Sequence, residues 1–129
     1  MEKQLREYYG SANILFLGQL SKEEVYERLK HAKYLIQPSL WYETFGLTMI
    51  EAMKLGIPVI GFTIGTRNDL IVHGYNGFLT HPEKLDETLR RAETYENYEE
   101  MQRNAIQYAA SYDVTKVTQK QIEIYKSLL

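Results

Sequence analysis

Two carboxylates, Glu43 and Glu51, stand with seven residues between them in a stretch of this chain whose spacing spells out a chemistry. An apolar run at residues 34–37 stops at Pro38, and a polar and aromatic loop follows. Gly46 then opens a segment in which Leu47, Ile50, Ala52 and Met53 recur at helical spacing. Glu43 therefore falls just before a helix and Glu51 within its second turn. Two carboxylates could form an acid and base couple, but a helix start between them suits another use. The first amides of a helix lack intrahelical partners, and the macrodipole adds about half a positive charge there. Thr44, Phe45, Gly46 and Leu47 thus offer backbone N–H groups to a phosphate, which Gly46 lets approach closely. Carboxylates repel phosphate, yet they accept hydrogen bonds from hydroxyls such as a sugar or a ribose presents. Phosphate on the amides and hydroxyls on the glutamates describe a nucleotide sugar.

The elements that must position these groups alternate along the chain. Residues 14–17 read as a short apolar strand, and Ser21 with Glu24 makes a capping box for a helix whose buried stripe is Val25, Leu29 and Ala32. Residues 34–37 form the next strand, and the helix carrying Glu51 runs to about residue 55. Residues 58–62 are nearly continuous in apolar character, as a parallel strand covered on both faces should be. Residues 78–80 make a short fourth strand. Pro82 suits the first turn of a helix carrying Leu85, Leu89 and Ala92, and Asn97 with Glu100 caps another carrying Met101, Ala105 and Ala109. Asp113 caps a last helix, to about residue 128, with Val114, Val117, Ile124, Tyr125 and Leu128 on one side. Strand and helix units up to about residue 80, then a helical tail over 82–129, predict one α/β domain.

Composition narrows the partners. A formal net charge of −2 and a pI near 5.9 give no basic footprint for nucleic acid. The chain has no cysteine, and His31, His73 and His81 show no metal-binding spacing, so no metal site is expected. No window approaches the roughly eighteen apolar residues of a membrane span, and a soluble, cytoplasmic protein is expected. Gly56 and Gly61 have the glycine spacing of a P-loop, but Phe62 and Thr63 stand where Lys and Ser/Thr are needed, so an NTPase reading fails.

The run P-S-x-x-x-E-x-F-G-x-x-x-x-E-A-M-x-x-G-x-P-V-I, beginning at Pro38, resembles the donor-site signature of retaining glycosyltransferases of the family 4 type. That family has the GT-B architecture of two facing Rossmann-like domains. The similarity continues upstream through residues 13–39 and downstream through Gly65, Gly74, Asn76, Gly77 and Phe78. The resemblance implies a partial Rossmann-like parallel sheet of about four strands with flanking helices, one half of a GT-B enzyme. It implies that Glu51 binds the ribose and that Glu43, the candidate catalytic residue, contacts donor sugar hydroxyls near the reacting carbon. The amides of Thr44, Phe45, Gly46 and Leu47 would hold the diphosphate. Leu20 matches the family's base-contacting position and serves equally well as a hydrophobic staple for the next helix.

The donor would be a nucleotide diphosphate sugar, with no cofactor and no obligatory metal. The family's first two strands, its Gly-Arg and Lys-Gly diphosphate loop, and its acceptor domain would all precede Asn13. The chain therefore reads as the C-terminal part of a donor domain, truncated on its N-terminal side and inactive alone. Its expected partners are the donor, the acceptor domain, an acceptor at a membrane surface, and a second copy pairing through uncovered sheet edges. Two rival readings are a non-catalytic nucleotide-binding or assembly module and part of a nucleotide-sugar epimerase. Residues 65–69, GTRND, depart from the family's Gly-Gly-x-Pro-Glu. Arg67 there reads as a solvated loop arginine rather than a phosphate contact, His73 beside Gly74 as turn chemistry, and Trp41 and Tyr42 as loop aromatics covering a core rather than edging a sugar pocket.

Overall fold

The computed structural model describes residues 3–4, 7, 13–41, 46–65, 67–112 and 114–129, with the backbone alone at 114–117. Helix α1 (Lys22–Leu29) starts where the capping box predicts. The Glu24 N–H donates to Ser21 Oγ at 3.2 Å and the Ser21 N–H donates to Glu24 Oε2 at 2.8 Å, so two end donors are satisfied reciprocally. Strand β1 (Leu35–Gln37) leads through α2 (Leu47–Lys54) to β2 (Val59–Phe62), and through the short α3 (Arg67–Leu70) to β3 (Gly77–Thr80). A 3₁₀ turn (Pro82–Lys84) precedes α4 (Leu85–Glu93), followed by α5 (Tyr98–Ala110) and α6 (Val114–Ser127).

The strands pair in parallel in the order β1-β2-β3, with Leu35 opposite Val59 and Ile60 opposite Phe78. Parallel neighbours need a crossover, and α2 supplies the first. All four residues of β2 are buried, as its continuous apolar run requires. Val59 packs into one cluster with Met49, Ile50, Ala52 and Met53 of α2, Leu70, Ile71, and Ala105 and Ala109 of α5. Ile60 packs into a second with Phe78, Ala92 and Met101, flanked by Tyr34, Leu85, Leu89 and Tyr95.

Side chains of α5 tie two loops and the short α3 to this core. Gln102 donates to the Gly56 carbonyl at 3.1 Å, Asn104 to that of Tyr75 at 3.1 Å, and Tyr108 to that of Asp69 at 2.7 Å. Buried Asn76 accepts from the Val72 N–H at 2.8 Å and donates to the Leu70 carbonyl at 3.0 Å, which sets the turn into β3. His73 does serve turn chemistry, its Nδ1 accepting from the Leu79 N–H at 3.0 Å.

Four expectations need correction. Among the described residues the sheet has three strands rather than about four, because residues 14–17 form none. A strand persists through its ladder, and among the described residues β1 pairs with β2 alone. The stripe predicted for α1 is not sealed: none of its residues is buried, Val25 is 43% exposed, and only Leu29, with Ala32 just beyond, reaches the core. Pro82 opens a 3₁₀ turn ahead of α4, and Asn97 occupies an N-cap position without a side-chain cap bond. The predicted cap Asp113 lies outside the described residues.

Candidate functional site

Helices α1 and α2 face each other across a cavity of about 620 Å³. From α1 come Lys22, Glu23, Val25, Tyr26, Glu27 and Leu29, and from α2 come Leu47, Thr48 and Glu51. The burial pattern of α2 sets this orientation. Met49, Ile50, Ala52 and Met53 are buried against β2 and α5, so positions 47, 48 and 51 share the opposite face. A volume of a few hundred Å³ with apolar walls and a few convergent polar groups is what a small-molecule site offers.

Among the described residues, the start of α2 meets no protein anion. Gly46 is buried at the N-cap with φ 60° and ψ 37°, a left-handed conformation that suits glycine, and it brings no side-chain cap. Its carbonyl takes the N–H groups of Met49 (3.0 Å) and Ile50 (3.2 Å), while the amides of Leu47 and Thr48 have no side-chain cap. No acidic residue lies in the first turn. The positive end of the helix dipole thus has no acidic partner within the helix itself. One turn on, the Glu51 carboxylate is 45% exposed, and its Oε1 lies 3.7 Å from Lys22 Nζ. An exposed pair of this kind is weak and exchanges easily for a hydroxyl that donates to the carboxylate.

Of the predicted site residues, Leu47 and Glu51 line this cavity, and Gly46 caps the helix that carries them. Leu20 does not line this cavity. It lies in a neighbouring depression of about 320 Å³ with Glu23, Glu24, Glu27 and Arg28, on another side of α1. Glu43, Thr44 and Phe45, like Tyr42, lie outside the described residues. Trp41 is 82% exposed and covers no core.

Arg67 departs furthest from expectation. It is fully buried rather than solvated, with Nε donating to the Ile64 carbonyl at 3.2 Å and Nη2 to the Trp41 carbonyl at 3.0 Å. Its Nη1 is buried without a partner. Sequence reasoning missed Lys22 and Thr48 among the cavity's polar groups, and it missed the burial of Arg67. Lys22 gave no signal, being far from Glu51 in sequence, but the apolar neighbours of Arg67, Ile64, Leu70 and Ile71, mark one buried face.

Known proteins share this chain's sequence pattern and fold. The family model described as glycosyl transferases group 1 matches residues 1–112. A sucrose synthase of Denitrovibrio acetiphilus is 40% identical over 72 residues, or 55% of this chain and 9% of its own length. Sucrose-phosphate synthase of Thermosynechococcus elongatus shares the fold with a TM-score of 0.83 at 24% identity, over 98% of this chain and 33% of its own. HepE of Anabaena, solved in complex with UDP and glucose, gives 0.80 at 27% identity over 97% of this chain and 35% of its own. The 129 residues thus span about a third of these two solved chains, and their α/β architecture is a part of the GT-B fold. With the family model matching all but the last helix, the chain belongs to the glycosyl transferases group 1 family.

Proposed function

We propose that this chain is the donor-binding part of a retaining glycosyltransferase, which moves a hexose from a nucleotide diphosphate to an acceptor hydroxyl. The observation that carries this reading is the first turn of α2, with a glycine N-cap and no acidic residue of its own, beside Glu51 in one cavity. The likeness to HepE, solved with UDP and glucose, supports a nucleotide-sugar donor. The diphosphate sits on the amides leading from Thr44 to Thr48. Glu51 accepts hydrogen bonds from the ribose hydroxyls in exchange for Lys22, and Glu43 orients the donor sugar.

As the bond between the sugar and the diphosphate breaks, negative charge grows on the leaving oxygen. Fixed N–H dipoles stabilise that charge more than they stabilise the ground state, which is what lowers a barrier. Helix amides and basic side chains carry it, with no obligatory metal in this reading. The retaining outcome rests on the likeness of the 38–60 motif. By themselves these 129 residues bind without transferring, since they span about a third of the related solved chains and much of such a barrier is lowered by positioning in a closed site.

Calorimetric titration with UDP, GDP and ADP tests the proposal. At least one of them binds, and Glu51→Ala weakens it about tenfold or more, the loss of a hydrogen bond to a charged group. Absence of binding by all three, or an affinity that Glu51→Ala leaves unchanged, removes the reading.

A further inference from the structure

We propose that Arg67 is a second anion-receiving group of the donor site, its Nη1 taking an oxygen of the bound diphosphate. The inference rests on the nucleotide-diphosphate reading above. A guanidinium is always charged and carries five N–H donors. In Arg67 the described acceptors are two carbonyls, those of Ile64 and Trp41, while Nη1 has none. Among the described residues no carboxylate lies within ion-pair distance of it. Carbonyl dipoles do not neutralise a buried charge, so an orphan donor on a buried cation calls for an anion.

Its position says which anion. Trp41 follows β1 and Ile64 follows β2, so the guanidinium joins the loops at the carboxyl ends of two adjacent parallel strands. In open α/β sheets ligands bind outside those ends. The Trp41 loop is also the one that leads to Gly46 at the head of α2. The packing protects this placement, since a Cβ at Gly61 would come within 2.9 Å of Arg67 Cδ. Phosphate oxygens match the guanidinium fork. An anion on Nη1 can reach across to Nη2 once the Trp41 carbonyl yields, and the 82% exposed Trp41 side chain does not anchor that carbonyl by burial.

The test titrates the full chain with inorganic pyrophosphate, UDP and uridine, alongside Arg67→Lys and Arg67→Met, and follows the Arg67 Nε–H resonance of the wild type by NMR. Pyrophosphate shifts that resonance. Arg67→Met weakens pyrophosphate and UDP about tenfold or more while uridine stays within about twofold, and Arg67→Lys recovers part of the loss; a merely structural arginine would weaken all three alike. Should Arg67→Met fail to fold, Arg67→Lys and the wild-type resonance carry the decision. The proposal is overturned if saturating pyrophosphate leaves the resonance in place, or if the folded variants bind pyrophosphate and UDP as the wild type does. It is also overturned if Arg67→Met and Glu43→Gln destabilise non-additively with no effect on pyrophosphate, which would make Arg67 the partner of that carboxylate. Wild-type binding of UDP with Arg67 silent removes this inference alone. Failure of UDP, uridine and pyrophosphate together removes the donor-site reading with it.

Discussion

The two sides of β2 differ in how they are finished. Toward β3, α4 and α5, the groups are sealed: Val59, Ile60 and Phe78 are fully buried, and side chains of α5 tie down two loops and α3. Toward β1 and α1, Ile36, Val25 and Tyr26 are 42–44% exposed, and the cavity opens between the helices. Helix α2 belongs to both sides. Residues 49, 50, 52 and 53 hold it in the core, while 47, 48 and 51 face the cavity. The difference teaches that stability is concentrated on one side and the proposed binding on the other, so that substitutions should separate the two properties cleanly.

The largest effect is expected at the sealed side. Phe78 is fully buried, with Tyr34, His73 and Tyr95 rings around it. Phe78→Ala should cost about 3–5 kcal/mol in urea unfolding, a cavity that close packing cannot refill. A loss under about 1 kcal/mol would break the comparison, since the sealed half would then not be the stabilising one.

Gly61→Ala comes next. Its Cβ would meet Arg67 Cδ and Ile71 Cδ1, each at 2.9 Å, so side chains must shift in a filled interior. A cost of about 1–3 kcal/mol is expected. Because Arg67 is displaced, UDP affinity should fall as well; stability lost with affinity intact would detach Arg67 from the site.

Glu51→Ala should do the reverse. Its carboxylate is 45% exposed and its one described ion pair, to Lys22, is loose, so stability should move by less than about 0.5 kcal/mol while nucleotide affinity falls about tenfold. A comparable loss in both would mean that the two faces of α2 are not separable.

Tyr34 stands on the boundary, its hydroxyl donating to the Ala92 carbonyl at 2.9 Å. Burial, and then the neighbouring Tyr98 and Tyr95, push its phenol up to about 12. The folded state thus favours the neutral phenol over the unfolded chain, which titrates near 10. The sign follows: this contribution is complete below about pH 10 and is lost as pH rises from 10 toward 12. Tyr108 is also raised to about 12, chiefly by burial, and adds to the same window. Urea midpoints at about pH 9 and 11.5 should show the decline, and Tyr34→Phe should flatten part of it.

The sealed side was legible in the sequence and the open side was not, for a physical reason. Residues 58–62 and the pairs Leu85/Leu89 and Met101/Ala105 are apolar at the period of their element, and burial followed the period. Val25, Ile14 and Leu15 carry the same kind of signal, yet residues 14–17 form no strand and α1 buries none of its residues. Periodicity reports which face an element would bury, not whether anything covers it. Glu51 and Gly46 were legible because a helix start has local rules, whereas the Lys22 contact and the burial of Arg67 depend on tertiary placement. Arg67 also shows how charge misleads: a charged loop residue is mostly solvated, and here the packing beside Gly61 outweighs that tendency.

Val25→Ser is the smallest and most direct test of the open side. Val25 holds an interior position on α1, so the serine's lower β-branching and its backbone competition roughly offset each other in helix propensity. What remains is the transfer of a side chain that is already 43% exposed and lines the cavity. The expected loss is below about 0.5–1 kcal/mol, well short of the 1.5–3 kcal/mol for a fully buried valine. Nucleotide affinity should fall slightly, because the apolar wall facing Leu47 is weakened. A loss of stability near the buried value would show that this face of α1 is covered in solution, by another segment or another copy, and the side that looks unfinished would have to be redrawn as an interface.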